Sequence, residues 1–286
     1  MTTTKSEIES LLFLLEDPDP FVRDSVKKRF DVLGENCIPI LDEMQSGLRS
    51  GKQKDSLRQL IRQITFAGIE QEFINVLEGG LKTPRQLEEA LFVISRLENP
   101  TLRTEIYTRA LDRMAEDVDY RIRYAVTPKE QMQILLTYVF REKDYQGCTD
   151  DYLNPRHTYL HTVIDAHVGI PLTLSLIVIF LARRLALPFH GVNMPLHFLL
   201  RFQNDSESIL IDPFNRGGIV SVDQCYSFLK NSGITPDHEH FRIASEQEML
   251  IRFIRNLING YDQQKEDLQK EDLNKLLSIL EAFSVE

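Results

Sequence analysis

Apolar residues recur at spacings of three and four through the first 120 positions, the pattern of short amphipathic helices. Ile8, Leu11, Leu12 and Leu15 form one stripe, which Asp17-Pro18-Asp19-Pro20 interrupts. Phe21-Val22-Arg23-Asp24 opens the next helix, which runs to Leu33-Gly34. Ile38-Pro39-Ile40-Leu41 and then Leu57, Leu60, Ile61 and Ile64 repeat the theme. Thr83-Pro84 has the form of an N-cap followed by proline in the first turn, ahead of Leu87, Ala90, Leu91 and Ile94. Asn99-Pro100 stops that helix, and Ile106, Ala110, Leu111 and Met114 supply another stripe. The expectation is a set of helical hairpins over 1–120.

The texture changes after 121. Met132, Leu135, Leu136, Val139 and Phe140 predict one more helix, and Asp144 to Asp151 reads as a loop. Asn154-Pro155 marks a turn, and Tyr159, Leu160, Val163 and Ile164 predict a helix facing the core. Val168-Gly169-Ile170-Pro171 ends it and starts a second, 171–185, which is apolar on almost every side and is therefore expected at the centre of the domain. Arg183-Arg184 suit the negative end of its dipole. Two strands, 197–203 and 208–212, then flank Asn204-Asp205-Ser206, a composition typical of hairpin turns. With Asn204-Asp205 as a two-residue loop, 203 faces 206, 199 faces 210 and 197 faces 212. His197 and Asp212 then become cross-strand neighbours with Cβ atoms about 5 Å apart. Phe198, Leu200, Phe202, Ile209 and Ile211 make an apolar sheet face on the other side. A histidine oriented by an aspartate is the base half of a nucleophilic triad.

Composition narrows the field. Of 286 residues, 42% are apolar and 27% charged, which suits a folded chain with a core. The net charge is −10, and even the segment 121–236 balances 11 basic against 10 acidic side chains, so no basic surface for nucleic acid is expected. Cys37, Cys148 and Cys225 are few, odd in number and far apart, unlike a secreted disulfide framework or a zinc site. The first residues hold no apolar leader, and the longest apolar stretch, 170–182, is short of the roughly 20 residues that span a bilayer. The expected setting is a reducing cytoplasm, with no membrane partner.

Two resemblances follow. Asp19-Pro20-Phe21-Val22-Arg23 with Leu33-Gly34 resembles a HEAT repeat, which implies a solenoid-like region. A buried helix opened by a glycine turn, a strand beginning with His and a strand ending in Asp-Pro resemble the transglutaminase-like core. More closely, Gly169-Ile-Pro-Leu-Thr-Leu-Ser175, Ala182-Arg-Arg-Leu185, Val192-Asn-Met-Pro-Leu-His-Phe-Leu-Leu-Arg201 and Ile211-Asp-Pro-Phe-Asn215 resemble the SirB1 family, and the block is similar to that of the F-box only protein 21 group. Asp151-Tyr-Leu-Asn154 and Tyr159-Leu160 belong to the same resemblance, which covers about 145–222. Arg255-Asn256-Leu257 resembles the family's C-terminal helical hairpin, often of tetratricopeptide type.

The resemblance implies an α+β fold: an all-α HEAT-like domain over 1–120, a transglutaminase-like (papain-like) domain over 121–236, and a short C-terminal helical segment over 237–286. It also implies a loss. Active members open the central helix with Cys, about fifteen residues before a glycine whose place Ala186 takes; counting back gives Pro171, which has no nucleophile. The SirB1 family generally has Pro there, so His197 and Asp212 are the retained part of a triad. Ser175 returns to nearly the same helix side one turn deeper, Thr173 faces away, and Cys148 lies in the preceding loop; these are the alternative nucleophiles. Asn193, Pro195, Ser175 and Arg201 are the candidates for lining a cleft. His157, His161 and Asp165 share a helical spacing that can chelate metal, though no HExxH accompanies them, and neither metal nor cofactor is expected. The expected function is non-catalytic: a protein-interaction, scaffold or regulatory module whose partner is another protein. The alternative is a hydrolase or amide-acting enzyme using His197 and Asp212 with an unconventional nucleophile.

Overall fold

A computed structural model describes residues 5–15, 17–45, 51–81 and 83–283. The chain divides into two compact units, Met1–Asn75 and Val76–Glu286.

The first unit is helical: α1 (Lys5–Leu14), α2 (Pro20–Leu33), α3 (Ile38–Gln45) and α4 (Gly51–Glu78), the last continuing past the boundary. The Asp17-Pro18-Asp19-Pro20 break does what its chemistry requires. Asp19 caps α2 by accepting from the Phe21 amide, and Pro20 fills a first-turn position where no amide hydrogen is needed. Arg23 reaches back from α2 to the Asp17 and Pro18 carbonyls at 2.7 and 3.0 Å. Ile8, Val26, Phe30, Leu33, Leu41 and Leu57 are among the residues of a shared core, so the stripes read from the sequence converge.

The second unit holds α5 (Pro84–Ser95), α6 (Thr104–Ile122), α7 (Pro128–Thr137), β1 (Gln146–Gly147), α8 (Leu160–Ala166), β2 (Val168–Gly169) and α9 (Pro171–Arg184). After these come β3 (Phe189–Val192), β4 (Leu199–Gln203), β5 (Ser208–Asp212), β6 (Gly218–Val220), α10 (Val222–Asn231), α11 (Glu246–Gln264) and α12 (Asp267–Ala282). The architecture is mixed α and β, dominated by helix. Reciprocal capping boxes, Thr83 with Gln86, Thr127 with Glu130, Ser221 with Gln224 and Ser245 with Glu248, start α5, α7, α10 and α11.

Every α9 residue from Pro171 to Ala182 is buried, as its all-round apolar sequence demands. It packs against α5, α6, α7, α8 and α11, and against β3 and β4. Burial deep in a helical shell leaves its two terminal arginines needing partners, and both find them. Arg183 Nη2 donates to Glu246 at 2.7 Å. Arg184 donates to Glu88 through Nη1 and Nη2, at 2.7 and 2.9 Å, and to Asp112 through Nε at 2.7 Å.

The four-stranded sheet runs β3-β4-β5-β6, antiparallel throughout. Its hairpin corrects the expected register. Gln203 pairs with Ser208 and Leu200 with Ile211, so Asp205-Ser206 is the tip, one residue later than expected, and β4 begins at Leu199 rather than His197. The cause is local: the Asn204 side chain accepts from the Ser206 and Glu207 amides at 2.8 Å each, and the Asn204 amide donates to the Glu207 carbonyl. Moving the tip by one residue shifts the pairing by two, which preserves the sheet faces. Leu199 and Leu210 still share one face, packed with Val192, Cys225 and Leu229. Leu200, Phe202 and Ile211, all buried, occupy the other face, where α9 lies against β3 and β4.

Candidate functional site

The turn joining β3 to β4 carries His197. Its backbone is unusual at Leu196, where φ is 62°, a left-handed conformation that a leucine rarely adopts. Three hydrogen bonds shape the turn. The His197 amide donates to the Met194 carbonyl at 3.3 Å, and Arg252, from α11, donates through Nη1 to the Met194 carbonyl at 2.8 Å and to Asn193 Oδ1. The Arg252 guanidinium also lies over the Phe198 ring, 5.6 Å from its centroid. Burial holds its pKa below the ordinary arginine value, with the Tyr152 phenol acting in the opposite direction.

Asp212 closes β5 and acts as a hub. Its Oδ1 accepts from His197 Nε2 at 2.9 Å and from the backbone amides of Phe214 and Asn215 at 3.0 and 3.3 Å. The corrected register sets Asp212 beside Leu199, and His197 reaches it from the turn before the strand. The carboxylate therefore selects the ring tautomer in which Nε2 donates, leaving the Nδ1 lone pair as the proton-accepting atom. Both side chains keep 18% exposure. Phe214 and Phe228 flank the imidazole, each with its ring centroid 6.2 Å away. Phe214 in turn lies against β1: a Cβ on Gly147 would fall 2.4 Å from its ring, so only glycine admits this packing. Tyr152 meets Phe214 edge to face, centroids 6.1 Å apart.

The other sequence candidates are placed as follows. Pro171 is the buried first residue of α9, where a missing amide hydrogen costs nothing. Thr173 and Ser175 have no exposure; Thr173 Oγ1 donates to the Thr158 carbonyl at 2.8 Å, and Ser175 Oγ has no hydrogen-bond partner among the described residues. Cys148 is 3% exposed beside β2, its amide donating to the Gly169 carbonyl, and burial is the main cause that pushes its thiol up to about 11. Asn193 and Pro195 belong to the His197 turn, Asn193 held by Arg252. Arg201 lies on the Leu199 face of β4, the side to which Asp212 also points, but its Nη2 is committed to the Phe241 carbonyl at 2.6 Å.

The spacing of His157 and His161 does not give one helix face, because His157 ends a 3-10 turn and α8 starts only at Leu160. His161 Nε2 faces Glu98 at 3.1 Å, Nδ1 is buried without a partner among the described residues, and the Tyr107 and Tyr159 rings lie beside it. Among the described residues, no group of three His, Cys, Asp or Glu side chains is placed to hold a metal ion, and no helix is long and apolar enough to cross a membrane.

His161 makes stability depend on pH. Burial lowers its pKa below the ordinary 6.5; Glu98 and Asp165 oppose that shift and Arg156 adds to it. Below about pH 6.5 the unfolded chain takes up the proton that the folded chain refuses, so this contribution is full above that pH and is lost as pH falls towards the folded value. The urea midpoint of the protein should therefore fall between pH 7.5 and 5.5, and His161→Gln should flatten that slope. An unchanged slope in the variant assigns the acid sensitivity elsewhere.

Sequence reasoning missed Phe214, Phe228 and Arg252. Phe214 stands inside the Ile211-Asp-Pro-Phe-Asn215 motif but was given no role, and Arg252 falls three residues after Met249, inside the apolar stripe of Met249, Phe253, Ile254 and Leu257.

Comparison with known proteins matches residues 105–255 to the transglutaminase-like superfamily, a span containing His197, Asp212 and Arg252. The chain is 29% identical over 181 residues to a UPF0162 protein of Xylella fastidiosa, covering 61% of this chain and 64% of that protein. It is 32% identical over 179 residues to a UPF0162 protein of Pseudomonas aeruginosa, with the same coverage. Human F-box only protein 21 is 30% identical over 165 residues, 52% of this chain and 26% of that protein. The matched region thus spans less than two thirds of these relatives. No solved structure matches the chain.

Proposed function

The chain belongs to the transglutaminase-like superfamily, and from that premise we propose that its core is a catalytically silent, SirB1-type module that binds another protein. The observation that carries the reading is the surroundings of His197. Among the described residues its hydrogen bond is to Asp212 and its ring neighbours are Phe214 and Phe228, while the central helix opens on Pro171. Ala186 supports the count that puts Pro171 in the nucleophile's place, since its φ of 54° is the left-handed backbone that a glycine adopts easily. Without a side-chain nucleophile the His197–Asp212 pair cannot form the covalent acyl-enzyme through which a nucleophilic triad works. In this reading His197 and Asp212 brace the β3–β4 turn and the turn after β5, and the helices of the first unit, HEAT-like in the Asp19 to Gly34 segment, add partner surface in the cytoplasm.

The alternative reading needs Ser175, Thr173, Cys148 or a water activated by His197 to attack. The two hydroxyls are sealed inside α9, and with a thiol pKa near 11 only on the order of one Cys148 side chain in ten thousand is thiolate at neutral pH. Fluorophosphonate and iodoacetamide probes, followed by intact mass, should therefore leave the folded protein unlabelled at these three positions. His197→Ala should destabilise by about 1 kcal/mol, one hydrogen bond's worth, without altering that inertness. An adduct at any of the three that disappears in His197→Ala would establish the hydrolase reading instead.

A further inference from the structure

We infer that the His197 turn is a docking surface for a protein segment carrying one large apolar side chain flanked by Lys or Arg, with Leu196 as the residue that meets it. The inference rests on the binding-module reading and names that partner's chemistry.

Exposure is the first observation. Leu196 is 61% exposed, and Tyr152 and Phe228 are 44% and 42% exposed. They are not scattered: Tyr152 touches Phe214, Phe214 and Phe228 both flank His197, and Leu196 is its chain neighbour. A group of exposed apolar side chains gathered about one mostly buried imidazole is the form of an interaction site rather than of ordinary surface. The second observation is how Leu196 is presented. Its left-handed backbone is unfavourable for leucine, and Arg252 fixes the two residues at the start of the same turn. Packing does not explain a leucine here, because the residue is mostly exposed.

Charge selects the occupant. Asp150 and Asp151, both exposed, directly precede Tyr152, and Asp223 is exposed on the helix that carries Phe228. None of the three makes an ion pair among the described residues. The neighbouring cations are largely committed: Arg252 to the turn, and Arg216 to Asp144 and Gln146. Lys230, in the last turn of α10, faces that helix's negative end. The acidic side chains that adjoin Tyr152 and share the helix of Phe228 give the patch a negative flank, which attracts basic residues and repels acidic ones.

The test is selection of random twelve-residue peptides displayed on phage against the full chain, followed by titration calorimetry with the selected synthetic peptide. The selected sequences should pair an aromatic or branched apolar residue with Lys or Arg, and binding should weaken with added salt. Leu196→Gly is the decisive variant, because glycine accepts a φ of 62° and the fold should be retained. It should bind about tenfold more weakly. Leu196→Asn, which also tolerates this backbone, provides the same reading in a second background. Undiminished binding to either folded variant, a consensus of acidic peptides, or the absence of any enriched sequence would overturn the inference. Failure of the binding-module reading is a separate result, the His197-dependent adduct described above.

Discussion

Arg184→Ala is expected to destabilise the second unit by about 3 kcal/mol and to lower its thermal midpoint by about 6–12 °C. Arg184 ends the buried central helix, and the Glu88 side chain it clasps with two nitrogens is only 7% exposed. Burial works against the Arg184 charge, yet the Glu88 and Asp112 carboxylates outweigh it and hold the guanidinium above its usual pKa. Alanine would leave Glu88 as an ionised carboxylate in a site built for a cation. Asp112 matters less because it is 48% exposed and can turn to water. The cause is separable from lost packing. If the unpaired charge dominates, Arg184→Leu with Glu88→Leu should recover more than 1 kcal/mol relative to Arg184→Leu alone, since a buried pair replaced by apolar groups is often neutral. Losses that simply add in a denaturation cycle would show that shape, not charge, is what Arg184 contributes.

Periodicity made some of this fold legible and was silent on the rest, for physical reasons. The 171–185 segment announced a central helix because a helix apolar on all sides has no stable place except inside. The partnership of His197 with Asp212 was legible through a register that was itself displaced. Strand side chains alternate with period two, so a pairing shifted by two keeps both residues on one face, and the turn before β4 supplies the remaining reach. What selected the true register, the Asn204 side chain accepting two amides, is a choice among several turns that Asn204-Asp205-Ser206-Glu207 can form. The compact boundary at Asn75 was not legible, since amphipathic stripes in α5 and α6 report that a face is buried but not against which core. Phe214 and Phe228 reach the His197 ring, and Arg252 the turn that carries it, from three separate parts of the chain, and nothing local to any of them names that destination.

Arg252 carries the second large effect. Arg252→Ala should cost about 2 kcal/mol, because it removes the charged donor serving the Met194 carbonyl and the Asn193 amide oxygen and exposes the Phe198 face. The consequence should be local as well as global. Asn193 and Met194 start the turn in which Leu196 is held left-handed, so releasing them allows that residue to relax to ordinary backbone and His197 to swing from Asp212. The readout is the nitrogen-15 spectrum of the histidine ring: the parent protein should show His197 as the Nε2-protonated tautomer with that hydrogen protected by Asp212, and Arg252→Ala should lose the protection below the unfolding transition. Arg252→Lys should rescue little, since an ammonium group cannot both lie flat over Phe198 and reach two oxygens in the plane of a guanidinium. Protection unchanged in both variants would mean that Asp212, with its two backbone donors at Phe214 and Asn215, is sufficient to hold the imidazole, and that α11 supports the turn without organising the site.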